Sequence, residues 1–126
     1  MLARIPDGWG RWISCGCGWY SLLVKLDEQL RALLPNYELH QVKEKFGGLR
    51  YYWEPGETIH DDLERRAELA EQLVTAAEGR AGVTCELCGA AGRLHRTPAR
   101  WPCYKTLCPA CAEREGYLPC ERLDSA

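Results

Sequence analysis

Eight cysteines stand in a chain of 126 residues, and four of them are spaced to share one ion. They read Cys85-Glu86-Leu87-Cys88 and Cys108-Pro109-Ala110-Cys111, two Cys-x-x-Cys pairs inside the window of a four-cysteine zinc site. A two-residue spacer lets both thiolates of a pair turn toward one ion, and the second pair completes a tetrahedron at about 2.3 Å per Zn–S bond. Gly89 follows the first pair, where a turn tightened around a metal favours a residue free to take a positive φ. Four thiolates leave no position open for water, so the expected role is one structural Zn2+ rather than a catalytic one. A redox dithiol or a set of disulfides accounts less well for two matched pairs. Cys15 and Cys17 could join Cys103 and Cys120 in a second site, but ordinary reduced cysteines are the preferred reading of those four.

The elements that position these ligands follow from periodicity. Ser21 can cap a helix running to about Leu34, stopped by Pro35. Leu22, Leu23, Leu26, Leu30, Leu33 and Leu34 make its core stripe, with Lys25, Asp27, Glu28 and Arg31 on the remainder. Residues 37–53 read as a β-hairpin turning at Gly47-Gly48, because two glycines tolerate positive φ at both central positions. That register sets Phe46 opposite Leu49, Glu44 opposite Tyr51, Val42 opposite Trp53 and Lys45 opposite Arg50. Thr58 is expected to open a second helix ending near Gly79, with Ile59, Leu63, Ala67, Ala70, Leu73, Val74 and Ala77 inward. Around the cysteines, a knuckle, a short strand at Leu94-His95-Arg96, a second strand before Cys108 and a helix after Cys111 give the order of a treble clef, with a zinc ribbon as alternative. The fold class is α+β: residues 1–82 form a core of aromatic lid, helix, hairpin and acidic helix, and residues 83–126 a zinc unit packed on it in one compact domain. That unit holds too little apolar surface to fold without its metal.

Charge narrows the function. The formal net charge is −2, and four thiolates around one divalent cation take it to about −4. Residues 57–82 carry seven acids against three bases, and residues 83–111 four bases against one acid. Indiscriminate phosphate binding is disfavoured, while a local basic face is not. Lys43, Lys45, Arg50 and Tyr52 share the outer hairpin face and form one candidate anionic contact; the alternative is a solvated face answered by the acidic helix. Arg93, Arg96, Arg100 and Lys105 are expected to soften the charge of the sulfur cluster, or else to meet phosphates. The opening residues lack the apolar core of a secretory signal, and no run is long enough to span a membrane, so a reducing cytoplasm is expected.

Gly18-Trp19-Tyr20-x-Leu22-Leu23, Gln41-Val42-Lys43-Glu44-Lys45-Phe46-Gly47-Gly48-Leu49-Arg50-Tyr51-Tyr52 and Thr84-Cys85-Glu86-x-Cys88-Gly89-x-x-Gly92, with Lys105-Thr106-Leu107-Cys108, span most of residues 18–111. In these stretches the chain resembles a group of small uncharacterised proteins encoded by bacteriophages and prophages. The resemblance implies an accessory protein acting inside a bacterial host, and no reaction. Eleven Trp and Tyr residues against one Phe suit a protein contact. The leading expectation is therefore a non-enzymatic protein that binds a host or phage protein, a defence or regulatory complex included. A sequence-tolerant DNA or RNA binder is the second. An enzyme comes last, because no phosphate loop, nucleophile elbow or His-Glu-x-x-His occurs, and no small-molecule substrate is expected.

Overall fold

The computed structural model describes residues 13–56 and 62–120. Residues 1–12 of the expected aromatic lid, the expected helix start at Thr58 and Ile59, and the residues beyond Cys120 lie outside them. Strand β1 (Ile13–Ser14) leads through a 3-10 turn at Cys17–Trp19 into helix α1 (Tyr20–Leu33). Strands β2 (Glu38–Lys45) and β3 (Gly48–Glu54) form the hairpin, followed by helix α2 (Leu63–Ala81). The C-terminal part holds β4 (Arg93–Arg96), β5 (Tyr104–Leu107), helix α3 (Pro109–Glu115) and β6 (Leu118–Pro119). The chain is α+β, with a first sheet ordered β1-β2-β3 and a second ordered β5-β4-β6.

The leucine stripe of α1 behaves as its spacing requires. Leu23, Leu26, Leu30 and Leu34 are buried, joined by Val42, Leu49 and Tyr51 from the hairpin and Ala70, Val74 and Ala81 from α2. Helices α1 and α2 therefore cover one face of the first sheet. Four local expectations need correction. Ser21 does not cap α1: the 3-10 turn runs straight into the helix, and Trp19 holds the cap position without a side-chain bond. Asp27 is buried rather than solvated, because Tyr37 Oη–H and Arg31 Nε–H both donate to its carboxylate. Helix α2 runs past Gly79 to Ala81, since Ala81 has a buried site to fill. Helix α3 begins at Pro109, so Cys111 lies within its first turn and not ahead of it.

The hairpin also turns one residue earlier than expected. Phe46 and Gly47 are the central pair, at φ +54° and +83°, which is the both-positive pattern that matches strand twist. Lys45 pairs with Gly48, Glu44 with Leu49, Lys43 with Arg50 and Val42 with Tyr51, with a bulge between Leu39 and Gln41. The cause is at the tip. Gly47 is buried against the second sheet, where Thr106 Oγ1–H donates to its carbonyl at 2.8 Å and a Cβ would lie 2.4 Å from Leu94 Cδ1. Glycine takes that φ without strain. Each residue's partner moves by two positions, so both faces keep their members.

Candidate metal centre

The four ligand atoms of Cys85, Cys88, Cys108 and Cys111 lie within 4.8 Å of one another. Cys88 Sγ and Cys108 Sγ are 3.6 Å apart, close to the edge of about 3.8 Å that a tetrahedron with 2.3 Å Zn–S bonds requires. All eight cysteines are free of disulfides. These four are positioned to hold a metal ion.

Each pair is placed by local backbone chemistry. At the first, Gly89 takes φ +84° and its N–H donates to Cys85 O at 2.9 Å, closing a tight knuckle. Cys85 N–H donates to Ala90 O and Glu86 N–H to Thr106 O, tying the knuckle to β5. At the second, Cys108 is the N-cap of α3, its sulfur accepts from Cys111 N–H at 3.4 Å, and Pro109 sits at the first helical position. Gly116 ends the helix at φ +78°.

The protons on this cluster are unequally held. Burial pushes the Cys85 thiol up, but backbone hydrogen bonds at Cys108, Cys88 and Leu87 outweigh it and bring the thiol down to about 7. Cys108 is also lowered, chiefly by its backbone bond from Cys111. Cys111 is pushed up to about 12, first by its side-chain bond with Cys108 and then by burial, and Cys88 is raised. Close sulfurs cannot all ionise beside one another; a divalent cation at their centre removes that conflict.

The expected cationic screen is placed differently. Arg114 Nη2 donates to Cys111 Sγ at 3.3 Å, a contact that sequence reading did not anticipate. Lys105 instead turns to Glu86 and Glu44, at 3.5 and 3.7 Å. Arg100 lies over the Trp101 ring at 5.7 Å, and Arg93 lines a shallow groove with His95 and Tyr117. Arg96 is exposed on β4. None of the four makes a described contact with the cluster sulfurs: Arg93, Arg96 and Lys105 stand on strands and Arg100 in the loop between β4 and β5. Cys15, Cys17, Cys103 and Cys120 join no metal-binding group among the described residues. A second trio within ligand distance, Glu38, His40 and Glu54, is exposed at the far end of the hairpin.

The other unanticipated feature is the seat of the knuckle. Glu86, between two cluster cysteines, is buried, and its Oε2 accepts from Gly16 N–H at 2.8 Å while Gly18 N–H donates to its carbonyl at 2.6 Å. A Cβ on Gly16 would lie 2.5 Å from Glu86 O, and one on Gly18 2.3 Å from Cys85 O. Trp19 Nε1–H donates to Thr84 O at 2.8 Å, and Cys17 Sγ reaches Leu87 O at 3.6 Å. The Cys-Gly-Cys-Gly run is thus a strap laid across the knuckle; its alternating glycines were the available signal. Trp19 is buried.

The outer face of the first sheet is where the hairpin residues were expected. Lys45, Arg50 and Tyr52 are exposed, and Lys43 Nζ lies 5.5 Å over the Tyr52 ring. The acidic helix does not answer them: α2 packs on the opposite face, and no carboxylate among the described residues pairs with Lys43, Lys45 or Arg50. No helix among the described residues is long and apolar enough to cross a membrane. Fold and site together define an α+β protein with a four-cysteine metal-binding cluster. No family model, curated protein or solved structure matches the chain.

Proposed function

We propose that residues 83–120 form a treble-clef unit holding one structural Zn2+ through Cys85, Cys88, Cys108 and Cys111. The order of knuckle, hairpin and helix supports it, with the second pair supplied by the cap and first turn of α3. A zinc ribbon would offer a second knuckle in that place. Four thiolates fill the coordination sphere, which argues for a binding protein and against hydrolysis at the metal. On that basis the chain is a non-enzymatic protein that docks on another protein; its place in the bacterial cytosol rests on the resemblance. The phage context, and a defence or regulatory complex as its target, rest on the resemblance alone.

Phe46 carries the docking reading. It is the one non-glycine residue with positive φ among the described residues, and its side chain is 69% exposed. An L-residue in that region costs about 1 kcal/mol, which Asn or Gly would relieve, so the ring is held outside at a cost to folding. Strain of this kind gathers at functional sites. Its neighbour Gly47 touches Leu94, Leu118 pairs with Arg96 one strand over, and Trp101, in the loop between β4 and β5, is 83% exposed. Aromatic side chains beside arginines are the usual anchors of an interface.

Affinity capture from a bacterial lysate, with and without nuclease, tests this. A specific protein should remain after nuclease treatment and be lost with Phe46→Asn and with Trp101→Ala, while Phe46→Asn melts no lower than the parent. Capture that vanishes with nuclease, or that both variants retain, removes the reading.

A further inference from the structure

The basic face of the first sheet is left unused by that docking reading, and its chemistry is different. Lys43, Lys45 and Arg50 project from β2 and β3 on the side away from both helices, with Gln41 and Tyr52 as neutral neighbours. Lys43 stands directly across from Arg50, an arrangement that repels unless an anion lies over it. Two of these cations lie against rings, Lys43 over Tyr52 and Lys45 at 5.9 Å over Phe46, and none of the three pairs with a carboxylate among the described residues. An incoming phosphate would therefore displace no ion pair. The face is a sheet surface and not a groove, and Tyr52 is 43% exposed in its middle.

We infer that this face binds single-stranded nucleic acid, with Lys43, Lys45 and Arg50 against the phosphates and Tyr52 as the platform on which a base stacks. Three cations gathered at the turn end of the face, with the exposed Glu38 and Glu54 at its other end, favour a polyanion across the turn end. The tyrosine beside them favours unpaired bases, since a duplex hides the faces of its bases. Phosphate contacts and stacking carry no base identity, so binding is sequence-tolerant.

The test uses the full, metal-loaded chain and a labelled oligothymidine of about 20 nucleotides, followed by fluorescence anisotropy. Three phosphate contacts on a single strand give a log–log salt slope of about −2. The Lys45→Glu/Arg50→Glu double variant should flatten that slope and weaken binding at least about ten-fold at roughly 50 mM salt. Tyr52→Ala should cost on the order of ten-fold with the slope unchanged. Trp101→Ala should bind the oligonucleotide like the parent, which separates this face from the docking surface.

No binding at low salt would overturn the inference, as would binding that the double variant leaves intact. Equal affinity for duplex, together with no effect of Tyr52→Ala, would overturn the single-strand assignment. If the double variant instead loses a nuclease-resistant protein partner while the parent ignores the oligonucleotide, the face belongs to an acidic protein surface and the inference fails.

Discussion

The two cores of this protein are built from different materials. The body buries Trp19, three leucines of α1 and Leu34 just after it, Val42, Leu49, Tyr37, Tyr51 and three residues of α2. The C-terminal unit buries Cys85, Cys108, Cys111, Leu107 and Ala112. Three of those five are cluster cysteines, so apart from Leu107 and Ala112 the second core consists of the metal site itself. In the body, order follows from apolar area removed from water. In the unit, four sulfurs stand closer together than uncompensated thiolates tolerate, so a cation held among them, as proposed, would also close the fold. The strap at Gly16–Trp19 joins the two, because its glycines lie on the knuckle while Trp19 is in the body's core.

Metal removal is the largest lever on that difference. Structural zinc in small units is worth on the order of 10 kcal/mol, more than the apolar contacts of Leu107 and Ala112 can replace. Chelation, or Cys88→Ser, should abolish amide protection in β4, β5 and α3 while α1 and α2 keep theirs, read by hydrogen exchange. A single transition that takes both helices with it would make the two cores one cooperative unit. Unchanged protection in β5 would show that the unit stands without metal.

Gly18→Ala addresses the joint. A methyl 2.3 Å from Cys85 O and 2.5 Å from Glu86 O meets backbone on both sides, and overpacking of that kind costs roughly 1–3 kcal/mol. Because the displaced carbonyls belong to the knuckle, metal affinity should fall along with the melting temperature. Lower stability with unchanged affinity would place the strap's effect in the body alone.

How much of this was legible follows the same division. The sulfur ligands were readable because a metal site is specified by spacing along the chain, and the stripe of α1 because burial follows the helical period. The hairpin was readable as an element, but its turn was misplaced by one residue, since local turn chemistry favours two glycines and the decisive contact is with Thr106 and Leu94. Asp27 was set off the core stripe because Tyr37, which donates to it and is itself bonded to Tyr51, arrives from beyond the helix. Arg114 and Glu86 were passed over for a related reason: one lies a helical turn beyond its cysteine, and the other faces a strap 70 residues away.

Inside the body, the buried tyrosines give a smaller effect with its own pH signature. Burial pushes both Tyr37 and Tyr51 well above the ordinary value of 10.0 for a tyrosine hydroxyl. Their folded forms hold protons that the unfolded chain loses first, so stability should fall as pH rises through 10 toward the folded values. Tyr37→Phe removes one of these protons and its bond to Asp27. It should cost about 1–2 kcal/mol at neutral pH and make the alkaline loss shallower, measured by urea unfolding across pH. An alkaline slope as steep as the parent's would assign the loss to other groups.

The smallest effect sharpens the contrast with Gly18. Gly79 lies in α2, exposed, with nothing within 4 Å of where a Cβ would stand. Its substitution by alanine meets no obstacle and lowers the entropy of the unfolded chain, so Gly79→Ala should raise stability by about 0.5–1 kcal/mol. Metal affinity should not change, because α2 reaches the cluster only through the backbone turn after Ala81. One residue type, two cores, opposite signs: the strap's glycines are required by what lies against them, and the helix's glycine is not. Destabilisation by Gly79→Ala would mean that α2 is covered at that point by chain outside the described residues.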